Sequence, residues 1–221
     1  MTTRNLPGSD AARHGTGDAD LTIMLAAHAA FRRDLDRLAR ATAFAGLPDP
    51  GRHAALLAGW ETFKRQLHLH HTAEDTVVWP ALRHRLEHSE QAQSVLDAME
   101  AEHGQIDPLL TAVDGAFANP ATGRLGDVTD ALTTTLTGHL VHEESDGLPL
   151  IGVALTTSEW RGVGFKIARR NGLSAGGEMF AWLADGADSD QAAAVIGTLP
   201  PPARLAYRAI WKPRYQRTQR W

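Results

Sequence analysis

Four histidines and two glutamates of this chain fall in a pattern that occurs twice. His70 and Glu74 stand four residues apart and are followed by Asp75 and Pro80; His139 and Glu143 are followed at the same offsets by Glu144 and Pro149. One histidine precedes each pair: His28 in the series Met24, His28, Phe31, Leu35, and His103 in the series Met99, His103, Ile106, Leu110, again at identical offsets. On a helix, residues i and i+4 differ by about 40° in azimuth and about 6 Å in height, so each His–Glu pair projects from one face. Imidazole and carboxylate together suit iron, manganese or zinc. The chain has no cysteine, which removes disulfides, thiolate-bound metals and thiol nucleophiles together. Gathered in a bundle interior without a cation, four imidazoles and two carboxylates would leave buried charge and unpaired nitrogen, each costing kilocalories. A metal removes that cost.

The elements that must position these groups are helices. Leu21, Met24, Leu25, His28, Phe31, Leu35 and Leu38 follow the i, i+3, i+4 rule, which predicts a first helix capped by Asp18 or Asp20 and ending near Gly46, before Leu47-Pro48-Asp49-Pro50-Gly51. A second helix is expected from about Arg52 through His70, bending at Pro80 and continuing toward His88. A third is capped by Ser89 and kinked at Pro108, and a fourth opens at Asp127 and is limited by Pro149. His28 and His70 each lie about 17 or 18 residues, roughly 26 Å, from their shared connection, so antiparallel packing brings them level. His103 and His139 are likewise similar distances from the loop at 119–126. The fold expected is all-α: an antiparallel up-and-down four-helix bundle with a C-terminal helical extension. Residues 1–17 read as a flexible N-terminus, 18–152 as the bundle and 153–221 as the extension. Breakers or caps at Ser158, Ser174, Ser189 and Pro200-Pro201-Pro202 divide the extension into three or four shorter helices.

With each glutamate bridging two ions and each ion taking two histidines, a solvent-derived bridge makes five ligands apiece and leaves one position open. A bridged pair inside a helical bundle favours iron. The residues His28, His70, Glu74, His103, His139 and Glu143 resemble the double His, His-x-x-x-Glu motif of hemerythrin-like, or HHE cation-binding, proteins over about residues 18–152. The resemblance implies a non-heme centre of two Fe ions, carboxylate-bridged and joined by an oxo or hydroxo bridge, that handles dioxygen, hydrogen peroxide or nitric oxide, with an electron donor as a further partner. Trp182-Leu183-Ala184-Asp185-Gly186 and Pro200-Pro201-Pro202-Ala203-Arg204 resemble the actinobacterial type with a helical extension. One departure stands out. The oxygen carriers use a fifth histidine one turn from the helix-three ligand, where this chain has Met99 and Asp107. The expectation is therefore a more open site suited to redox chemistry rather than reversible oxygen transport. His142 is an alternative source of the missing nitrogen, although Glu143 occupies the better angle.

His71 and Asp75 share the i+4 spacing of His70 and Glu74, but the repeat pairs His71 with Leu140. His71, Asp75, His142 and Glu144 are accordingly read as partners that orient imidazoles or pass protons, beside a plain surface role. Met24 and Met99, one turn before His28 and His103, read as core filling that also lines the open face. Phe31, Trp60, Phe63 and Trp79 read as core that excludes water. His84 and His88 read as a solvated pair. Glu100 and His103 form a single Glu-x-x-His, whereas a ferritin-like site needs two such pairs and two further glutamates.

With 221 residues, 43% hydrophobic and 22% charged, the chain has the composition of a folded protein with one core and an appendage. Its longest apolar run, near position 150, is about eight residues against the roughly 20 that cross a bilayer, and no leader is recognisable, so no membrane and a cytoplasmic location are expected. A net charge of -4 makes nucleic acid an improbable partner, yet residues 156–221 carry ten basic against five acidic side chains, which reads as a tail docked on an acidic body. No catalytic residue beyond the ligands is identified. The function expected is binding and reaction of a small oxidant at a bridged iron pair. The alternatives are a non-catalytic oxygen, nitric-oxide or iron sensor, and an oxidase of an organic substrate.

Overall fold

A computed structural model describes residues 19–42 and 50–221; Asp18, the segment 1–17, Gly46 and the breaker residues 43–49 lie outside the described residues. Helix α1 (Thr22–Thr42) starts where the Asp20 carboxylate accepts the Thr22 N–H at 3.0 Å. Helix α2 (Pro50–Ala73) passes through a π-helical turn, Glu74–Val78, into α3 (Trp79–Arg85). Ser89 caps α4 (Glu90–Ala118), accepting the Ala92 N–H, and α4 runs on with Pro108 inside it. A 3-10 turn at Pro120–Thr122 and a left-handed Gly123 reverse the chain, so α5 (Leu125–His142) begins two residues before the expected Asp127. It too continues through a π turn, Glu143–Gly147, into α6 (Leu148–Ala154).

Neither Pro80 nor Pro149 ends its helix, which corrects the expectation that Pro149 limits the fourth. A proline inside a helix lacks an N–H and its ring collides with the carbonyl four residues earlier. Here the residue before each proline reaches back five positions instead of four, Trp79 N–H to Glu74 O and Leu148 N–H to Glu143 O, and the widened turn accommodates the ring.

His28 packs against His70 with ring centroids 5.2 Å apart and Phe31 against Phe63 at 5.8 Å, so ascending α1 meets descending α2. Helix α5 packs against both α1 and α4, which completes the four-helix bundle. Its interior has two apolar clusters. One holds Phe31, Leu35, Trp60, Phe63, Leu67, Ile106 and Leu136; the other holds Val78, Trp79, Leu82, Leu96, Met99, Leu148 and Ile151. The histidines and glutamates form a polar layer between them: Phe31 touches His70 from one side, while Met99 lies near Gly147 and Glu143 on the other.

The extension consists of α7 (Thr157–Leu183), α8 (Ser189–Gly197), α9 (Pro201–Ala206), a third π turn at Tyr207–Trp211 and α10 (Lys212–Gln216). Thr156, not Ser158, caps α7, because Glu159 completes a reciprocal capping box with it. Ser174 interrupts nothing; the irregularity is Gly172, at φ 76°. Asp188, one residue before Ser189, caps α8.

Trp182, Val195, Tyr207 and Tyr215 join the first bundle cluster, so the extension shares the bundle's core. Polar contacts fix its register. Trp182 Nε1–H donates to buried Asp34 (2.7 Å), Arg37 pairs with Asp185 (2.8 Å), Arg65 pairs with Glu178 (2.5 Å) and Arg220 donates to Thr62 (2.9 Å). The Trp221 ring lies against Gly59, where a Cβ would come within 2.5 Å of it. Among the described residues no helix is long and apolar enough to cross a membrane.

Candidate metal centre

The six repeated residues meet in the polar layer, and a seventh joins them. One donor atom each from His28, His70, Glu74 and Glu143 lie within 4.8 Å of one another, as do atoms from His71, His103 and His139. The glutamates connect the two groups. Glu74 presents Oε1 to His70 Nε2 at 3.1 Å and Oε2 to His103 Nε2 at 3.6 Å. Glu143 Oε2 lies 3.1 Å from His28 Nε2 and 3.8 Å from His139 Nε2. All these side chains are buried except His70, which falls just short of it.

Seven atoms in this layer are buried without a hydrogen-bond partner in the protein: Nε2 of His28, His70 and His71, and both oxygens of Glu74 and Glu143. Folded proteins seldom leave such atoms orphaned, since each costs about 1–3 kcal/mol. Seven such atoms, all potential donors to a cation and facing one another, fit a metal.

The electrostatics of the protein groups alone carry the same mark. Burial, and then the charge of Glu143, hold the Glu74 carboxyl well above its usual range. Burial pushes Glu143 upward as well, but its contact with His28 and the charges of His28, His70 and His139 outweigh that and bring it down to about 2. Burial and the charge of His28 depress His70 to about 3, and burial with the neighbouring imidazoles holds His71 well below its usual value. Neutral imidazoles are the form that ligates; His70 and His71 are held in it, whereas His28, in spite of its burial, is raised by its contacts with Glu143 and Glu144.

Carboxylates outside the layer fix the imidazole orientations. His28 Nδ1–H donates to Glu144 (2.9 Å), which Arg32 clamps with two bonds of 2.7 and 3.0 Å, and His103 Nδ1–H donates to Asp75 (2.9 Å). His139 Nδ1–H donates to Glu102 (2.8 Å), whose other oxygen accepts from His142 Nδ1–H (2.7 Å). With Nδ1 protonated, the lone pair of each ring is on Nε2 and faces the layer. Burial raises the Glu144 carboxyl, but the hydrogen bonds and charges of Arg32 and His28 together outweigh it and bring it below its usual value.

The structure thus places Asp75 and Glu144 against imidazoles. His142 lies outside both donor groups, bound to Glu102. His71, read as an orienting partner, instead has its Nε2 inside the second group, its ring stacked on His103 at 3.9 Å between centroids and 10° between planes. Met99 is fully buried and Met24 packs against the same apolar cluster, so both pack. Glu102 was not singled out by the repeat, because the matching position before His28 is Ala27.

Residues 19–151, more than half of the chain, match the family model described as the hemerythrin HHE cation binding domain. No match was found among curated proteins or among solved structures.

Proposed function

The chain belongs to the hemerythrin HHE cation-binding family, and from that premise we propose that its polar layer holds two iron ions bridged by Glu74 and Glu143, and that a small oxidant binds and reacts there. The observation that carries this reading is the pair of glutamates with all four oxygens orphaned, each lying between the two histidine groups. Iron bound there supplies an open coordination position and a change of valence.

The chain's own residues do the rest. Asp75, Glu102 and the Arg32-clamped Glu144 hold three imidazoles in the tautomer that presents Nε2 inward. Phe31, backed by Trp182 at 4.9 Å, closes one side of the layer, and Met99 with Leu148 closes the other, keeping bulk water out. The donor groups are unequal: three imidazoles form one, while two imidazoles and both glutamates form the other, with Glu74 and Glu143 reaching to 3.6 and 3.8 Å of His103 and His139. The group of His28 and His70 is one nitrogen poorer, and dioxygen, hydrogen peroxide or nitric oxide binds on that side.

Metal quantification with an optical spectrum after anaerobic ferrous loading and oxidation tests the reading. Two irons per chain are expected, most of them lost in His70→Ala or Glu143→Ala and retained in His84→Ala. Full iron content in His70→Ala and Glu143→Ala refutes it. Catalytic gas evolution from peroxide then marks an enzyme, and a stoichiometric, reversible colour change marks a carrier or sensor.

A further inference from the structure

Trp182 belongs to the extension, yet one ring separates it from the metal layer. Its indole is almost fully buried, its centroid is 4.9 Å from that of Phe31, and Phe31 is 5.2 Å from His70, which puts Trp182 no more than about 10 Å from that imidazole. Its Nε1–H donates at 2.7 Å to Oδ2 of Asp34, a carboxylate buried between Arg33 (2.9 Å) and Arg37 (3.2 Å). Anchoring the extension accounts for a buried indole with a hydrogen bond. It does not call for an oxidisable ring in contact, through Phe31, with a residue of the metal site, and with its N–H on a carboxylate.

Resting on the iron reading above, we infer that Trp182 is a one-electron donor to the iron pair when hydrogen peroxide oxidises the centre and no external reductant arrives. Starting from the pair already in its ferric state, peroxide takes two electrons from the site and, with two protons, becomes two waters as its O–O bond breaks, which leaves the site oxidising enough to draw on an indole. Trp182 returns one of those electrons. Its N–H bond breaks at the same time, the proton passing to the Asp34 carboxylate, which leaves a neutral indole radical and a carboxylic acid. Loss of the proton is necessary here. Arg33 lies 5.7 Å from the ring centroid, and with Arg37 it disfavours an indole radical cation.

Three of the other five tryptophans provide contrast. Trp60 also donates to a carboxylate, Asp114 at 2.7 Å, but it reaches Phe31 only through Phe63, one ring farther out. Trp79 is as buried as Trp182, and its Nε1–H has no acceptor, so its proton has nowhere to go. Trp160 donates to a backbone carbonyl, that of Asp20, which is a far weaker base than a carboxylate.

The experiment uses the iron-loaded chain, with iron content and the peroxide-induced optical change measured first, so that failure of the iron reading shows itself separately. Freeze-quenched electron paramagnetic resonance after peroxide addition is expected to show an organic radical whose lines narrow with ring-deuterated tryptophan. Trp182→Phe lowers its yield by at least about tenfold, whereas Trp79→Phe leaves it unchanged. Peptide mass spectrometry of the wild-type chain after repeated peroxide additions gives a readout independent of any variant: added oxygen concentrates on Trp182 and spares Trp79. Absence of a tryptophan radical in the reacting wild-type protein, a signal undiminished in an iron-replete Trp182→Phe, or oxidation of Trp79 equal to that of Trp182 overturns the inference.

Discussion

Replacing His71 by leucine separates a ligand from a packed ring, because the two roles predict opposite signs in the metal-free protein. His71 Nε2 is buried with no hydrogen-bond partner, and burial holds the ring neutral, so without metal it is an uncompensated polar atom costing about 1–3 kcal/mol. Leucine has a similar volume and maintains contact with the face of His103. Metal-free His71→Leu should therefore be more stable than the wild type by about 1–3 kcal/mol, or about 2–12 °C in Tm for a chain of this size. With iron the order reverses. Losing a donor should weaken the second group by more than the 10–100-fold typical of losing an orienting partner, and iron content should fall from two toward one per chain. Calorimetry in chelator and in excess ferrous ion, with an anaerobic iron titration, measures both arms. Two irons bound with wild-type affinity would show that His71 only packs; a destabilised metal-free variant would show that its nitrogen is satisfied after all.

Three further outcomes follow from other contacts. Glu102→Ala frees His139 and His142 from their shared carboxylate and should weaken iron binding about 10–100-fold in the same titration, with the helical spectrum unchanged. Tyr215 has its phenol raised above the usual value, chiefly by burial and then by the charge of Asp185, so above pH 10 the unfolded chain loses a proton that the native state keeps. Stability should then fall with rising pH by up to about 1.4 kcal/mol per unit, and because the hydroxyl has no partner, Tyr215→Phe should flatten that fall at little cost at pH 7, as read by urea melts. Gly59→Ala sets a methyl against the Trp221 ring and should cost about 1–3 kcal/mol in Tm measurements, with a change in tryptophan fluorescence as the ring is displaced.

The helices and the meeting of six ligand candidates were legible because both depend on i+4 spacing and on equal distances from a turn. His71 was not, for a reason that lies in the helix itself. His70 and His71 precede Glu74 by four and three residues, which places one about 40° to one side of the glutamate and the other about 60° to the opposite side. A carboxylate serving two ions can thus have an imidazole of its own helix on each. In the second copy the corresponding residue is Leu140, so an expectation drawn from the repeat discards the extra nitrogen. Glu102 was hidden in the same way, since a twofold comparison finds only what both copies retain. The extension's caps shifted by a residue or two because Thr156 and Asp188 compete with adjacent serines, and a side-chain contact, not residue type, decides between them.

The prolines carry the remaining information, and it concerns phase. Pro80, Pro149 and Pro213 each follow a π turn by two residues, with the backbone bonds Trp79 to Glu74, Leu148 to Glu143 and Lys212 to Tyr207 closing the wide turns. In the bundle the first residue of each wide turn is a glutamate of the polar layer. One extra residue delays everything after it by about 100° of rotation. A regular helix continuing from Glu74 would turn Ala81 and Arg85 inward; the observed buried positions are Val77, Val78, Trp79 and Leu82, while Arg85 is exposed. After Glu143 the same slip buries Leu148, Ile151 and Leu155 in place of Leu150 and Ala154. The apolar pattern of the sequence already contains this one-residue slip on both sides of the repeat. Each helix can therefore offer a glutamate to the metal layer and, one turn later, a hydrophobic face to the cluster beneath it.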